Sequence, residues 1–163
     1  MNNIARHLQC TISYTKKQKY MELEQHLKFL LNRARSFIPD NEFCGLGVIV
    51  YEDLEGLPIV PLCVSADLPI ANDLAEQIAL CSILSSPCHD GFQFVSKDWR
   101  LTKRNQYFAP FPEASKISLG NFVNNVGSRH MAAKLGSLLE PVVCTGVLSD
   151  SDGLVVFSNG VAI

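Results

Sequence analysis

From Glu22 onward the apolar residues Leu23, Leu27, Leu30, Leu31, Ala34 and Phe37 recur every three or four positions, the spacing that gathers side chains on one stripe of an α-helix. Pro39 has no backbone N–H, so the predicted helix ends before it. Residues 1–22 have weaker periodicity and a Lys16-Lys17-Gln18-Lys19 cluster; they read as an N-terminal arm or short helix, with the domain proper over 23–163. The pattern then changes period. Gly45 to Tyr51 is short, apolar and β-branched, followed by the polar turn Glu52 to Gly56, and predicts a strand. Ile59 to Val64 predicts a second strand, placed at a sheet edge by Pro61.

Asp73 with Glu76 three residues on has the form of a capping box ahead of Leu74, Ile78, Cys81 and Leu84, a helix expected to stop near Ser85-Ser86-Pro87. Phe92 to Val95 alternates as a strand, and Tyr107-Phe108 starts or ends another before Pro110. Asn121 to Leu139 reads helical through Phe122, Val126, Met131, Leu135 and Leu138; Gly127 interrupts it, at the point where a helix would begin. Val142 to Leu148 and Leu154 to Phe157 form a hairpin across Ser149 to Gly153. Strands interleaved with three helices indicate the α/β class: one mixed β-sheet flanked by helices, without internal repeats.

Composition narrows the function classes. A chain of 163 residues, 47% hydrophobic and 18% charged, suits one globular domain and excludes a disordered tail. A net charge of −2 lacks the basic excess of a nucleic-acid binder, so no nucleic-acid partner is expected. No apolar run approaches the roughly 18 residues of a membrane span, and there is no h-region of about 7 to 15 residues, so neither membrane nor export is expected and the location reads as cytoplasmic. The six cysteines are scattered, several within apolar runs, and read as buried thiols of a reducing compartment. Cys81, Cys88 and His89 come nearest to a ligand cluster but match no standard zinc spacing. Charge is uneven: residues 41–96 carry eight acids and no Lys or Arg, whereas residues 1–40 carry seven bases and three acids, which reads as a solvated basic helix beside an acidic edge.

Three polar segments carry candidate chemistry. Pro87-Cys88-His89-Asp90-Gly91-Phe92 is an elbow between a predicted helix and strand; Asp90 there is a metal or hydroxyl-activating carboxylate, and Gly91 lets a ligand approach the backbone. The plain alternative is a simple Asp-Gly turn. Gly127-Ser128-Arg129-His130 at a helix start offers N–H groups, a hydroxyl and a fixed cation to phosphate oxygens; alternatively it is an N-cap followed by a solvated Arg-His pair. Ser149-Asp150 supplies a second carboxylate on the hairpin turn, suited to sharing a metal with a triphosphate or simply to turning the chain.

The order of these segments resembles the diadenylate cyclase domain family, whose signatures are His-Asp-Gly-Ala and Gly-Thr-Arg-His-Arg-Ala-Ala; here they stand as His89-Asp90-Gly91-Phe92 and Gly127-Ser128-Arg129-His130-Met131-Ala132-Ala133. Leu46 to Glu52 resembles the family's first core strand, Asp67-Leu68-Pro69 and the following helix its pre-motif helix, and Phe108 to Pro112 its post-motif strand, so the likeness spans roughly residues 24–160. It implies a diadenylate cyclase-like domain that binds ATP, takes Mg²⁺ or Mn²⁺, and works as a homodimer or higher homo-oligomer joining two ATP into cyclic di-AMP and pyrophosphate. It implies catalytic roles for Asp90, Arg129 and His130, nucleotide contacts from Gly91, Phe92, Gly127, Ser128, Arg129 and His130, and metal ligation by Asp90 and Asp150. Phe92 replaces the family's alanine, Met131 its second arginine, Ser128 its threonine and Asp150 its glutamate. The alternative expectation is therefore a nucleotide-binding sensor of the same fold without turnover.

Overall fold

The computed structural model describes residues 3–63, 67–113 and 126–163, with side chains from Met21 onward within them. The expected helical stretch 121–125, with Phe122, and Val64 of the second expected strand lie outside the described residues. In chain order the elements are α1 (Asn3–Ser36), a 3-10 turn (Asp40–Glu42), β1 (Leu46–Tyr51), β2 (Ile59–Pro61), α2 (Leu74–Ser82), β3 (Phe92–Ser96), β4 (Leu101–Phe108), α3 (Ser128–Gly136), β5 (Val142–Ser149), β6 (Gly153–Ser158) and β7 (Val161–Ala162). The strands form one sheet in the order β2-β4-β3-β1-β5-β6-β7. Only β1 and β3 run parallel, joined by the α2 crossover, and the other neighbours are antiparallel. The expected mixed sheet with flanking helices is the fold found, and β2 with its Pro61 occupies an edge, where a missing N–H breaks no ladder.

β1 sits mid-sheet with every residue buried, because both faces are covered. Its period of two divides the core: Leu46, Val48 and Val50 face α1 and α2, meeting Leu27, Leu30, Leu31, Ala34, Ile78 and Cys81, while Ile49 and Tyr51 face the α3 side with Phe92, Phe94, Phe108, Ala133 and Phe157. Leu27 and Leu31 are wholly buried, each contributing about 1.5 to 3 kcal/mol through apolar burial. They press on Gly146 of β5, where an added Cβ would lie 2.5 Å from Leu31 Cδ1. α2 begins as its capping pattern predicts: the Glu76 N–H donates to Asp73 Oδ1 at 2.9 Å, and the Glu76 carboxylate reaches back to the N–H of Asn72 at 3.0 Å. Arg33 on α1 pairs with the same Asp73 and fastens the two helices together.

Five expectations are corrected. The backbone of α1 runs unbroken from Asn3 through residue 22, since neither proline nor glycine occurs before Pro39 to stop it. Phe37 falls beyond the last helical residue and is 44% exposed beneath Arg33, and Ile38 takes the core position instead. α2 ends at Ser82, because Ile83 turns extended and bridges Phe43. Cys63 and Cys88, read as thiols, form a disulfide: the end of β2 and the elbow before β3 converge although 25 residues separate them. Cys44 is free but exposed, and Cys81 and Cys144 are buried thiols as expected.

Candidate functional site

The elbow after α2 is set by β4. Asn105, buried and at a positive φ of 50°, donates through Nδ2 to the carbonyls of Cys81 at 2.8 Å and Cys88 at 2.9 Å, and its own N–H donates to Gln93 Oε1 at 3.0 Å. Gly91, just before β3, packs against that strand: an added Cβ would come within 2.4 Å of the Asn105 carbonyl carbon. What approaches Gly91 is therefore the chain's own backbone. This clamp presents Asp90 to solvent at the rim, its side chain 78% exposed, with Oδ1 3.5 Å from His89 Nε2.

Across from it, α3 starts at Gly127, whose extended backbone caps the helix without a side-chain hydrogen bond, so N–H groups of the first turn stay open beside the exposed Ser128. The hydroxyl of Thr145 on β5 donates to the Ala133 carbonyl at 2.8 Å and holds this helix to the sheet. Arg129 folds back across β1. Its Nη2 donates to the Asp90 carbonyl at 2.9 Å, its Nη1 to the Cys44 carbonyl at 3.4 Å, and Nη2 stands 3.6 Å from the Asp90 carboxylate. Space for Arg129 comes from Gly45, where an added Cβ would lie 2.6 Å from Nη1, and from Gly47, where it would lie 3.1 Å from the Arg129 Cδ and 2.7 Å from the Phe92 ring. Arg129 Nε and His130 Nδ1 are buried without hydrogen-bond partners, and the His130 ring packs edge-on against Phe157 with centroids 5.0 Å apart.

Between these walls opens a cleft of about 890 Å³, large enough for a nucleotide. Asp90, Phe92, Gly127, Ser128, Arg129 and His130 all line it. Phe92 does so from the core, packed edge-on against Phe108 at 5.7 Å. Gln106 and Tyr107 of β4 add a polar group and a half-exposed ring. Asp150 is exposed but does not line the cleft; the hairpin turn contributes Ser149, Ser151 and Asp152. The Asp152 N–H donates to Ser149 Oγ at 3.1 Å and its carboxylate accepts from Ser151 Oγ at 3.0 Å, so the turn closes with the later carboxylate on the cleft side. Burial raises the Cys44 thiol pKa above its ordinary value, opposed by the charge of Arg129 and assisted by that of Asp90.

Asp90 and the Ser128 to His130 run, singled out from the sequence, line one cleft, and the structure adds Gln106, Tyr107 and Asp152 to its wall and Gly45, Gly47 and Asn105 to its support, none of which the sequence pattern marked as site residues. One signal was present: glycines two apart at a strand's start clear one face of it, a seat for something large. Neither a family model nor a curated protein matches the chain. Among solved structures, the crystal structure of a double mutant of DacA from Staphylococcus aureus aligns with 92% of this chain and 87% of that chain, at a TM-score of 0.53 and 15% sequence identity. The likeness is one of fold. Among the described residues no helix is long and apolar enough to cross a membrane.

Proposed function

We propose that the chain is a nucleotidyltransferase of the diadenylate cyclase kind, joining two ATP molecules into cyclic di-AMP with release of pyrophosphate. The observation that carries this reading is the meeting, in one nucleotide-sized cleft, of the open N-terminus of α3 at Ser128, the Arg129 guanidinium and the Asp90 carboxylate. The DacA-like fold supports it. Phosphate oxygens would lie against the first-turn N–H groups, the Ser128 hydroxyl and Arg129, where the helix dipole and a fixed cation favour negative charge. His130, which lines the same wall with Nδ1 unpartnered, would add a polar ring nitrogen to it. Asp90 would bias the ribose 3′-hydroxyl toward the α-phosphate of a second ATP. Catalysis would consist mainly of alignment and of neutralising charge as pyrophosphate leaves. Asp90 and Asp152 are carboxylates that line the cleft and would offer oxygens to a divalent cation; Mg²⁺ or Mn²⁺ held by them would screen the triphosphate.

Two attacking hydroxyls require two half-sites, and this chain holds one copy of the Asp90 and Ser128 to His130 set. A two-fold homodimer with facing clefts would satisfy the reaction. A second reading, a nucleotide sensor of the same fold without turnover, has a specific observation in its favour. Arg129 already spends Nη1 and Nη2 on backbone carbonyls, and Met131, in place of the family's second arginine, supplies no replacement cation. Incubation with labelled ATP and Mn²⁺, followed by product identification, separates the two: cyclic di-AMP supports the enzyme, and binding without product supports the sensor. In either case Arg129→Ala is expected to weaken ATP binding by about 1.5 to 3 kcal/mol, roughly ten- to a hundredfold. Unchanged calorimetric affinity would refute the phosphate assignment.

A further inference from the structure

We propose that Cys44, His89 and Asp90 form a binding site for a borderline-soft divalent cation of the zinc class. The donors carry the site, which meets the nucleotide reading at Asp90, shared by both, and at Arg129, which braces the backbone beneath the donors. The Cys44 sulfur, an imidazole nitrogen of His89 and a carboxylate oxygen of Asp90 lie within 4.8 Å of one another. Around a tetrahedral zinc, with bonds of about 2.0 to 2.3 Å, such donors stand about 3.3 to 3.8 Å apart, so side-chain rotation at the two exposed residues closes the set. His89 Nε2 and Asp90 Oδ1 are already at 3.5 Å.

The backbone under these donors is held from both sides. Phe43, next to Cys44, bridges Ile83, and the Leu84 N–H donates to the Glu42 carbonyl at 2.9 Å, which fixes the approach to β1 against the end of α2. Asn105 fixes the Cys88 carbonyl immediately before His89. Arg129 then joins the two segments by donating to the Cys44 and Asp90 carbonyls. Outer partners select the free lone pair: His89 Nδ1 is 3.3 Å from the Ser86 carbonyl, so the Nδ1–H tautomer donates there and leaves Nε2 open toward Asp90. The Cys44 thiol has only a weak contact, 3.7 Å to the Ser82 carbonyl, and no disulfide partner. One thiolate, one imidazole and one carboxylate make a donor set suited to zinc over magnesium, and three protein ligands leave a fourth position for water or a phosphate oxygen, as open zinc sites do.

The test uses Co²⁺ as a spectroscopic stand-in for zinc and no nucleotide. Protein in the Cys10→Ser background, kept without reductant so that the Cys63–Cys88 disulfide stays closed, is titrated with Co²⁺ and then with competing Zn²⁺. The expected result is one equivalent of four-coordinate Co²⁺, with intense visible bands and a near-ultraviolet thiolate charge-transfer band, displaced by Zn²⁺ but not by millimolar Mg²⁺. Cys44→Ser should abolish the charge-transfer band and weaken zinc binding by at least about a hundredfold, beyond what loss of an outer partner alone produces. His89→Gln should weaken it comparably while keeping the charge-transfer band at saturating Co²⁺. Absence of the thiolate band, equal affinity in Cys44→Ser, or displacement by Mg²⁺ would overturn the site. Because no ATP is present, such a failure leaves the nucleotide reading to the Arg129→Ala calorimetry, and unchanged ATP affinity in that variant, which would refute the phosphate assignment, leaves the metal titration of the otherwise intact donor set standing.

Discussion

Replacing Gly91 by alanine tests whether this glycine serves a ligand or the sheet. The added Cβ would meet the Asn105 carbonyl carbon at 2.4 Å, its Cα at 2.6 Å and the Gln106 nitrogen at 2.7 Å, all backbone atoms, where ordinary contact begins at 3.4 Å. The strand must therefore recede by about 1 Å, since no flexible side chain is present to yield. Overpacking of this kind costs about 1 to 3 kcal/mol. The same displacement stretches the Asn105 bonds to Cys81, Cys88 and Gln93 from 2.8–3.0 Å toward 4 Å, leaving buried polar groups unpaired at about 1 to 3 kcal/mol each where they find no substitute. With partial relaxation the sum is about 3 to 5 kcal/mol, or a Tm lowered by about 6 to 20 °C for a chain of this length. Urea unfolding followed by the fluorescence of Trp99, the sole tryptophan, which stacks on His26, measures it directly. Gly127→Ala is the control: nothing lies within 4 Å of its added Cβ, and its cost should stay within about 1 kcal/mol. A Gly91→Ala protein within about 0.5 kcal/mol of wild type would refute the packing argument and return Gly91 to the ligand.

Further expectations concern titration, thiols and turnover. The Asp73 carboxyl is held below its ordinary value of 3.8, chiefly by the Glu76 N–H and also by Arg33. Its stabilising contribution is therefore present above the unfolded-state value and is lost as pH falls through the lower folded value. Asp73→Asn keeps a capping oxygen without the charge, so wild type should lose stability more steeply than this variant below about pH 4, and parallel urea midpoints over that range would contradict the assignment. Burial pushes the Cys81 thiol up to about 11 and the Cys144 thiol up to about 12, so at pH 8 a thiol reagent followed by peptide mapping should modify Cys44 and spare both until the protein unfolds. Native labelling of Cys144 would count against the fold of β5. If the two-subunit reaction operates, Asp90→Asn should remove turnover, and mixing it with wild type should poison shared dimers. Specific activity independent of concentration in a monomer shown by light scattering would exclude that arrangement.

The sequence by itself determined whatever depends on periodicity and local chemistry. The α1 stripe from Leu23 to Ala34, the short apolar β-branched run of β1, the Asp73 and Glu76 cap, the edge position of Pro61 and the β5–β6 hairpin are each written within a few residues, and the structure carries them all. Tertiary structure decided matters that hang on residues remote in the chain. Arg129 bridges Cys44 and Asp90 across separations of 85 and 39 residues, seated by two glycines that read locally as the mere start of a strand. The Cys63–Cys88 disulfide forms because β2 pairs with β4 at the edge beside the elbow, a fact of sheet order that no spacing encodes. Asp152 lines the cleft where Asp150 was expected, in a turn closed by the Asp152 N–H donating to the Ser149 hydroxyl. Side-chain periodicity states which face of an element is buried; only packing states what a buried or rim-held group meets there, and the cleft is made of such meetings.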